Sequence, residues 1–438
     1  GYIVSVNIAG ELTVSRYDER GESFLGRAEG PPIKGGFETN HLQIIAKGPQ
    51  IAVFVNGEPV TLVYDPDFSS TFEKGLFDLV VCTPNGKSTL RVHFDNLKIW
   101  DISNLAIPLP NTSVPPSASP LPTPAPISSS GRILYVSASA PAGGNGSRSA
   151  PLDTIQAAIN AAGPGDTIQV AIGTYGENLD IRGKSVIIKG GYDPLTWEMT
   201  GSPEETVIDG GGRDRTVLIA AGAKVSMENF TITGGVNHCG DGNGGPFGGG
   251  GGITVNGWMT EATLQRLIIR DNTAIPECGG GGIETSNGAV VLIINSVIAD
   301  NKANDGGGIC IWSDSKVTVV NSTIANNLPD GVGAQVEWRG QGVFVNSILW
   351  NNGGIDAYGN LTIRNSVVSA YSDEVQVENV RSIDPRFVDP SRGDYHLRPD
   401  SPAIDAGTLA GAPPVDIDGD PRPIGDGVDI GADEIAGE

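Results

Sequence analysis

Along most of the chain apolar residues alternate with polar ones in short runs closed by Gly or Asn, the two-residue period of β-strands. From about residue 250 the runs repeat. Gly252-Ile253-Thr254-Val255 returns as Gly282-Ile283-Glu284-Thr285, Gly308-Ile309-Cys310-Ile311 and Gly333-Ala334-Gln335-Val336. Each copy leads into a second short strand and then to Asn corners. Asn295-Ser296, Asn321-Ser322 and Asn346-Ser347 mark one corner; Asn272, Asn301, Asn327 and Asn352 mark the next, 29, 26 and 25 residues apart. Short strands with Gly and Asn corners at that period predict a solenoid with one coil per repeat. Earlier runs, from Ile133-Leu134-Tyr135-Val136 through Asp166-Thr167-Ile168-Gln169-Val170 to Phe230-Thr231-Ile232, extend the same pattern. One amphipathic helix is predicted, from Thr154 to Ala162 and stopped by Gly163-Pro164-Gly165. A lone helix ahead of many β coils would cover the open end of their stack.

Residues 1–103 alternate in the manner of antiparallel strands. Ile51-Ala52-Val53-Phe54-Val55 and Val60-Thr61-Leu62-Val63-Tyr64 flank Asn56-Gly57, a strong hairpin signal. Leu79-Val80-Val81-Cys82 and the run Leu90 to Trp100 add strands, so the segment reads as half of a β-sandwich. Residues 104–130 are rich in Pro, Ser and Thr and predict an extended spacer. The expected division is a sandwich over 1–103, a linker over 104–130, a β-helix with an N-terminal helical cap over 131–380, and an acidic C-terminal cap or tail over 381–438, in an all-β chain.

Composition supports that picture and removes some functions. Of 438 residues 62 are Gly and 30 Pro, yet 39% are hydrophobic, as in a turn-rich β protein. Net charge is −23, which disfavours nucleic acid and anionic membranes as partners. It is compatible with neutral sugars, or with anionic sugars bridged by a cation. No apolar run is long enough to cross a bilayer. Gly1 begins no signal sequence, and the chain opens on the strand pattern Tyr2-Ile3-Val4-Ser5-Val6, so upstream sequence is expected. Cys239 and Cys278 sit in Gly-rich loops before successive repeat strands; a disulfide and two free thiols are both open.

Two stretches resemble known families. Asn40-His41-Leu42-Gln43-Ile44-Ile45-Ala46-Lys47-Gly48, Phe54-Val55-Asn56-Gly57 and Phe94-Asp95-Asn96-Leu97-Lys98-Ile99-Trp100 resemble the C-terminal half of concanavalin A-like (laminin G-like) jelly rolls. The missing first half implies an open sheet edge that another copy could complete, a route to self-association. Thr154-Ile155-Gln156-Ala157-Ala158-Ile159, Gly165-Asp166-Thr167-Ile168-Gln169-Val170 and Gly173-Thr174-Tyr175 resemble the opening coil of pectin lyase-like right-handed parallel β-helices. Asp384-Pro385-Arg386-Phe387, Ser401-Pro402-Ala403-Ile404-Asp405-Ala406-Gly407 and Val428-Asp429-Ile430-Gly431-Ala432-Asp433-Glu434 resemble the tail of bacterial extracellular β-helix proteins of the choice-of-anchor type. These resemblances imply a secreted or cell-surface protein. They do not imply one activity, because the superfamily holds lyases, hydrolases and adhesins.

Candidate chemistry follows from strand alternation. With Ile253/Val255, Ile283/Thr285, Ile309/Ile311 and Ala334/Val336 inward, an outward stripe is expected of Thr254, Glu284, Cys310 and Gln335, beside Asn256, Ser286, Trp312 and Glu337. Trp312, Trp338 and Tyr358 would stack on sugar rings, while Asn256 and Gln335 would take hydroxyls. An enzymatic version would draw a carboxylate pair about 5–10 Å apart from Glu284, Asp314, Glu337 and Asp356. A lyase would add Lys316 or Arg339 as base. The plain alternative is an ordinary solvated sheet face, and no dense Asp cluster marks the stripe. Asp416, Asp418 and Asp420 alternate as in calcium loops, but Val428 stands where an EF-hand has its Glu. A structural Ca²⁺ and a solvated acidic cap are both open. The favoured function is a non-catalytic protein that binds polysaccharide or assembles into a matrix or fibre; the alternative is a polysaccharide lyase or hydrolase targeted by the sandwich.

Overall fold

The computed structural model describes six strands within residues 2–64, a few residues of the spacer, and residues 131–238, 249–275, 279–334 and 339–436. The chain divides into two units, Gly1–Pro120 and Leu121–Glu438. In the first, Tyr2–Val6, Glu11–Asp18 and Gly21–Glu29 form one antiparallel sheet, and Leu42–Lys47, Gln50–Val55 and Glu58–Tyr64 form another. Val55 pairs with Glu58, which makes the expected hairpin. The runs 79–82 and 90–100 lie outside the described residues.

The second unit is the solenoid. Its coils pass through three parallel faces. The first face stacks Leu179–Arg182, Val217–Ala220, Ile253–Asn256, Ile283–Ser286, Ile309–Ile311, Asp330–Ala334 and Ile355–Gly359. The second includes Asp166–Ala171, Ser185–Tyr192, Val290–Ile294, Lys316–Val320, Gln341–Val345 and Leu361–Arg364. The third includes Val297–Ala299, Thr323–Ala325, Ile348–Trp350 and Val367–Val368. Two long strands, Lys224–Thr233 and Glu261–Arg270, run through the corner between the second and third faces. The bend falls on residues in the left-handed region, Asn229 (φ 68°) and Arg266 (φ 51°), and on Asn295, Asn321 and Asn346 in later coils. Asn tolerates that backbone better than other side chains do, which is why the repeat carries it there.

Inside, each coil contributes aliphatic side chains in register. Ile253, Ile283, Ile309 and Val332 form one fully buried column, and Leu264, Ile293, Val319 and Phe344 form another. The expected helix is α1, Ile155–Ala161, with Thr154 as its N-cap. The Glu177 carboxylate accepts the first free amides, Ile155 N at 2.8 Å and Gln156 N at 2.9 Å. Its buried side, Ile155, Ala158 and Ile159, closes the start of this core.

The fourth repeat sits two residues from the expected alignment. Ile309 pairs with Val332 and Ile311 with Ala334, so Gly331, not Gly333, continues the series Gly252, Gly282 and Gly308. Two glycines two residues apart offered two registers of equal parity. The structure takes the one that keeps Asn327 and Asn352 in contact.

The C-terminal segment follows the last coil strand, Gln376–Glu378. It lies along the outside of the third face, where Phe387, Tyr395, Leu397, Ala403, Ile417, Ile430 and Ala432 cover Val297, Ala299, Ala325, Ile348 and Val367. Apolar residues on both sides of the third-face strands give each coil a second hydrophobic contact beyond the central core.

Candidate functional site

The expected stripe on the first face is closed. Thr254, Glu284, Cys310 and Ser286 are all fully buried, although they point away from the aliphatic core. The cause is glycine. Residues 279–281 and 306–307 pass so close to the next strand that a Cβ on Gly280 would come within 2.8 Å of Glu284 Cα, and one on Gly306 within 2.8 Å of Cys310 Cα. A Cβ on Gly279 would meet the indole nitrogen of Trp312 at 2.9 Å. The glycines that looked like turn formers are what allow the covering loops to press onto the sheet.

Glu284 is consequently a buried acid. Neither carboxyl oxygen accepts a hydrogen bond of good geometry. Burial pushes its pKa up to about 8, against the opposing pull of the Ser286 hydroxyl and the Arg215 guanidinium. It has no exposed surface through which to meet a substrate.

Other predicted residues are also spent on structure. Asp356, expected outward, is buried at the end of a ladder of amides. Asn272 Nδ2 donates to Asn301 Oδ1 at 3.0 Å, Asn301 to Asn327 at 3.0 Å, Asn327 to Asn352 at 2.9 Å, and Asn352 to Asp356 Oδ1 at 3.0 Å. The other Asp356 oxygen accepts Ser369 N at 2.8 Å, Ala370 N at 2.9 Å and the Ser369 hydroxyl. Asp314 and Arg339 form a two-pronged ion pair, Nε to Oδ1 and Nη2 to Oδ2, each 2.7 Å. The hydrogen bond to Asp314 raises the Arg339 pKa, the wrong direction for a base. Lys316 lies on the second face, in register with Val290 and Gln341, and so is not beside Glu284 at all. Tyr358 lies over Gly333, with its hydroxyl buried and without a hydrogen bond. Asn256 accepts from Asn287 Nδ2 at 3.1 Å. Gln335, Glu337, Trp338, Cys239 and Cys278 lie outside the described residues.

In the tail, the Asp416–Asp420 run is a hydrogen-bonded turn. Asp416 Oδ1 accepts the amides of Asp418, Gly419 and Asp420 at 2.8–2.9 Å, and Oδ2 accepts Glu434 N at 3.1 Å. Burial raises the pKa of Asp416. Arg422 and Glu434 form a fully buried ion pair at 3.3 Å, and Arg422 also donates to the carbonyls of Asp429 at 3.0 Å and Ala432 at 3.1 Å. The acidic signature of the tail is thus largely a set of carboxylates that tie up backbone amides.

An open site lies at a corner that none of the expected site residues marks. Between the corner after the third face and the tail is a cleft of about 520 Å³, lined by Arg270, Asp271, Asp300, Lys302, Asn326 and Leu328 from the coils, and by the turn 391–393. Asp271, Asp300 and Asn326 occupy the same left-handed position in successive coils (φ 55°, 60° and 57°), so their side chains project outward roughly one 4.8 Å strand spacing apart. Tyr395 of the tail donates to Asp300 Oδ2 at 3.1 Å, and Asn326 Nδ2 donates to Asp300 Oδ1. Leu328 is 45% exposed and is the one large apolar side chain in the lining. The sequence signal of this site is the repeated pair Asp271-Asn272, Asp300-Asn301, Asn326-Asn327, whose second member marks the corner and whose first member faces the cleft.

This stacked architecture is a right-handed parallel β-helix, and a family model described as "Right handed beta helix region" matches residues 215–382. Among solved structures, pectate lyase Pel9A is 18% identical, with 69% of this chain and 96% of that one covered and a TM-score of 0.32. A pectin methylesterase from Aspergillus niger is 15% identical, covering 60% and 89%, with a TM-score of 0.30. No curated protein matches the chain in sequence. Among the described residues no helix is long and apolar enough to cross a membrane.

Proposed function

We propose that the chain is a non-catalytic polysaccharide-binding solenoid of the cell exterior, with the corner cleft as its sugar site. The carrying observation is the lining of that cleft. Guanidinium, ammonium, carboxylate and amide groups converge on about 520 Å³ beside one exposed aliphatic side chain. Such a surface offers donors and acceptors to ring hydroxyls and an apolar patch to a sugar's C–H face. Its polar column repeats from coil to coil, which suits an extended chain more than a compact ligand. Catalysis is disfavoured because Glu284 is sealed, Asp356 ends the amide ladder, Asp314 is paired, and Asp300 is engaged by Asn326 and Tyr395. The N-terminal antiparallel strands, read as part of a concanavalin A-like jelly roll, would add a second carbohydrate contact.

The test is a panel of neutral and acidic oligosaccharides titrated into the full chain. Lys302→Ala with Arg392→Ala should weaken the best ligand about tenfold, with unfolding unchanged. No new reducing or unsaturated ends should appear. Equal affinity of the variant, or product release by the wild type, would overturn the proposal; release would return the lyase or hydrolase alternative.

A further inference from the structure

The tail holds a second, smaller constellation. His396 lies in the strand Asp394–Leu397, Asp418 in the turn built on Asp416, and Asp433 in the final segment. One ligand-capable atom from each of these three side chains lies within 4.8 Å of the other two. The His396 ring is held at both nitrogens, with Nδ1 2.6 Å from Asp394 Oδ1 and Nε2 2.9 Å from Asp418 Oδ2. Asp433 is 4% exposed, and one of its oxygens accepts Leu397 N at 2.7 Å. Burying a carboxylate beside a second carboxylate is unfavourable, and a cation held between them would offset that.

We propose that His396 Nε2, Asp418 and Asp433 form a binding site for a divalent metal of the zinc or manganese kind. Asp394 supplies the orienting contact that metal-bound imidazoles usually have. By accepting from Nδ1 it leaves Nε2 as the ligating nitrogen. An imidazole with two carboxylates favours a transition metal over calcium, which prefers oxygen ligands throughout. Asp418, its side chain 33% exposed, would complete the ligand set with the ring and the buried Asp433. The metal would replace the proton now shared between His396 and Asp418, with charge balanced by the two carboxylates. Its effect would be to fasten three tail segments at the point where Ile417 O accepts Arg266 Nε at 2.8 Å.

Chelator-treated full chain is titrated by calorimetry with Zn²⁺, Mn²⁺, Ca²⁺ and Mg²⁺, and Co²⁺ is added as an absorption probe. One saturable Zn²⁺ or Mn²⁺ site per chain is expected, at least about tenfold tighter than Ca²⁺. Asp418→Asn and His396→Ala should each weaken it at least about tenfold, and Asp394→Asn by several-fold. Should His396→Ala unfold, the half-exposed Asp418→Asn variant and its Co²⁺ spectrum carry the decision. Absence of saturable binding below about 1 mM, a preference for Ca²⁺, or binding unaltered in Asp418→Asn would overturn the site and leave a His–carboxylate clasp only.

Discussion

Two columns of Asn and Asp run side by side up one corner of the solenoid, a single residue apart, and they do opposite work. Asp271, Asp300 and Asn326 sit in the left-handed region and project into the cleft. Asn272, Asn301 and Asn327 follow them directly, turn inward, and are fully buried. Each inner amide closes two coils at once. Asn327 Oδ1 accepts both the backbone and the side-chain N–H of Asn301, while its own Nδ2 donates to Ile298 O at 2.9 Å and to Asn352 Oδ1 at 2.9 Å. Residue type is therefore no guide to role here. The sign of φ at the first residue decides which of the pair meets water.

The largest effect should come from breaking the inner column. Asn327→Ala removes several buried hydrogen bonds and takes away the acceptor of the Asn301 backbone N–H, a loss of about 3 kcal/mol or more in unfolding free energy. Asn326→Gly removes the neighbouring amide but keeps a backbone that glycine adopts freely, so stability should change by only about 0.5 kcal/mol. Glycan affinity should respond in the reverse order. Comparable losses of stability in the two variants, read by denaturant melts, would erase the distinction between the columns.

A second test asks whether burial, not chemistry, sets the behaviour of a carboxylate. Glu284 has its pKa raised from 4.5 to about 8. The folded state therefore holds a proton that the unfolded state releases, and stability should fall as pH rises from about 4.5 to about 8. Glu284→Gln removes that slope. The variant should match wild type near pH 4 and exceed it at pH 8–9, by an amount on the order of a few kcal/mol. Parallel stability-versus-pH curves for the two proteins would mean that Glu284 is charged in the fold and that the first face is open.

The fold was legible because its signals are local and periodic. Alternation gave the strands, Asn and Gly gave the corners, and Thr154 with its apolar helical run gave α1. The site was not legible for two reasons. Alternation says that Glu284 and Cys310 point away from the core, but not that glycine loops press down on them. Coverage by another segment is a tertiary fact. Likewise the tail's carboxylates announced acidity, whereas Asp416, Asp429 and Glu434 hold backbone amides that no pattern in their own spacing reveals. Even within the repeats, Gly331 and Gly333 offered two registers, and the choice between them rests on Asn327 meeting Asn352.

The smallest effect is expected at the corner between the first and second faces, where Asp314 (φ 63°) and Arg339 (φ 56°) are again left-handed residues that project outward. Their ion pair has ideal fork geometry, but the side chains are 44% and 31% exposed. Water screens such a pair, and the long Arg339 side chain must be ordered to make it. A double-mutant cycle with Asp314→Ala and Arg339→Ala should give a coupling of about 0.5 kcal/mol, shrinking further in 1 M salt. If outward corner residues are peripheral to the fold, this value stays small even though the contact is shorter than any rung of the inner ladder. A coupling above about 2 kcal/mol would show that an outward column can hold coils together as the inward one does, and that left-handed corners do not by themselves separate surface chemistry from structure.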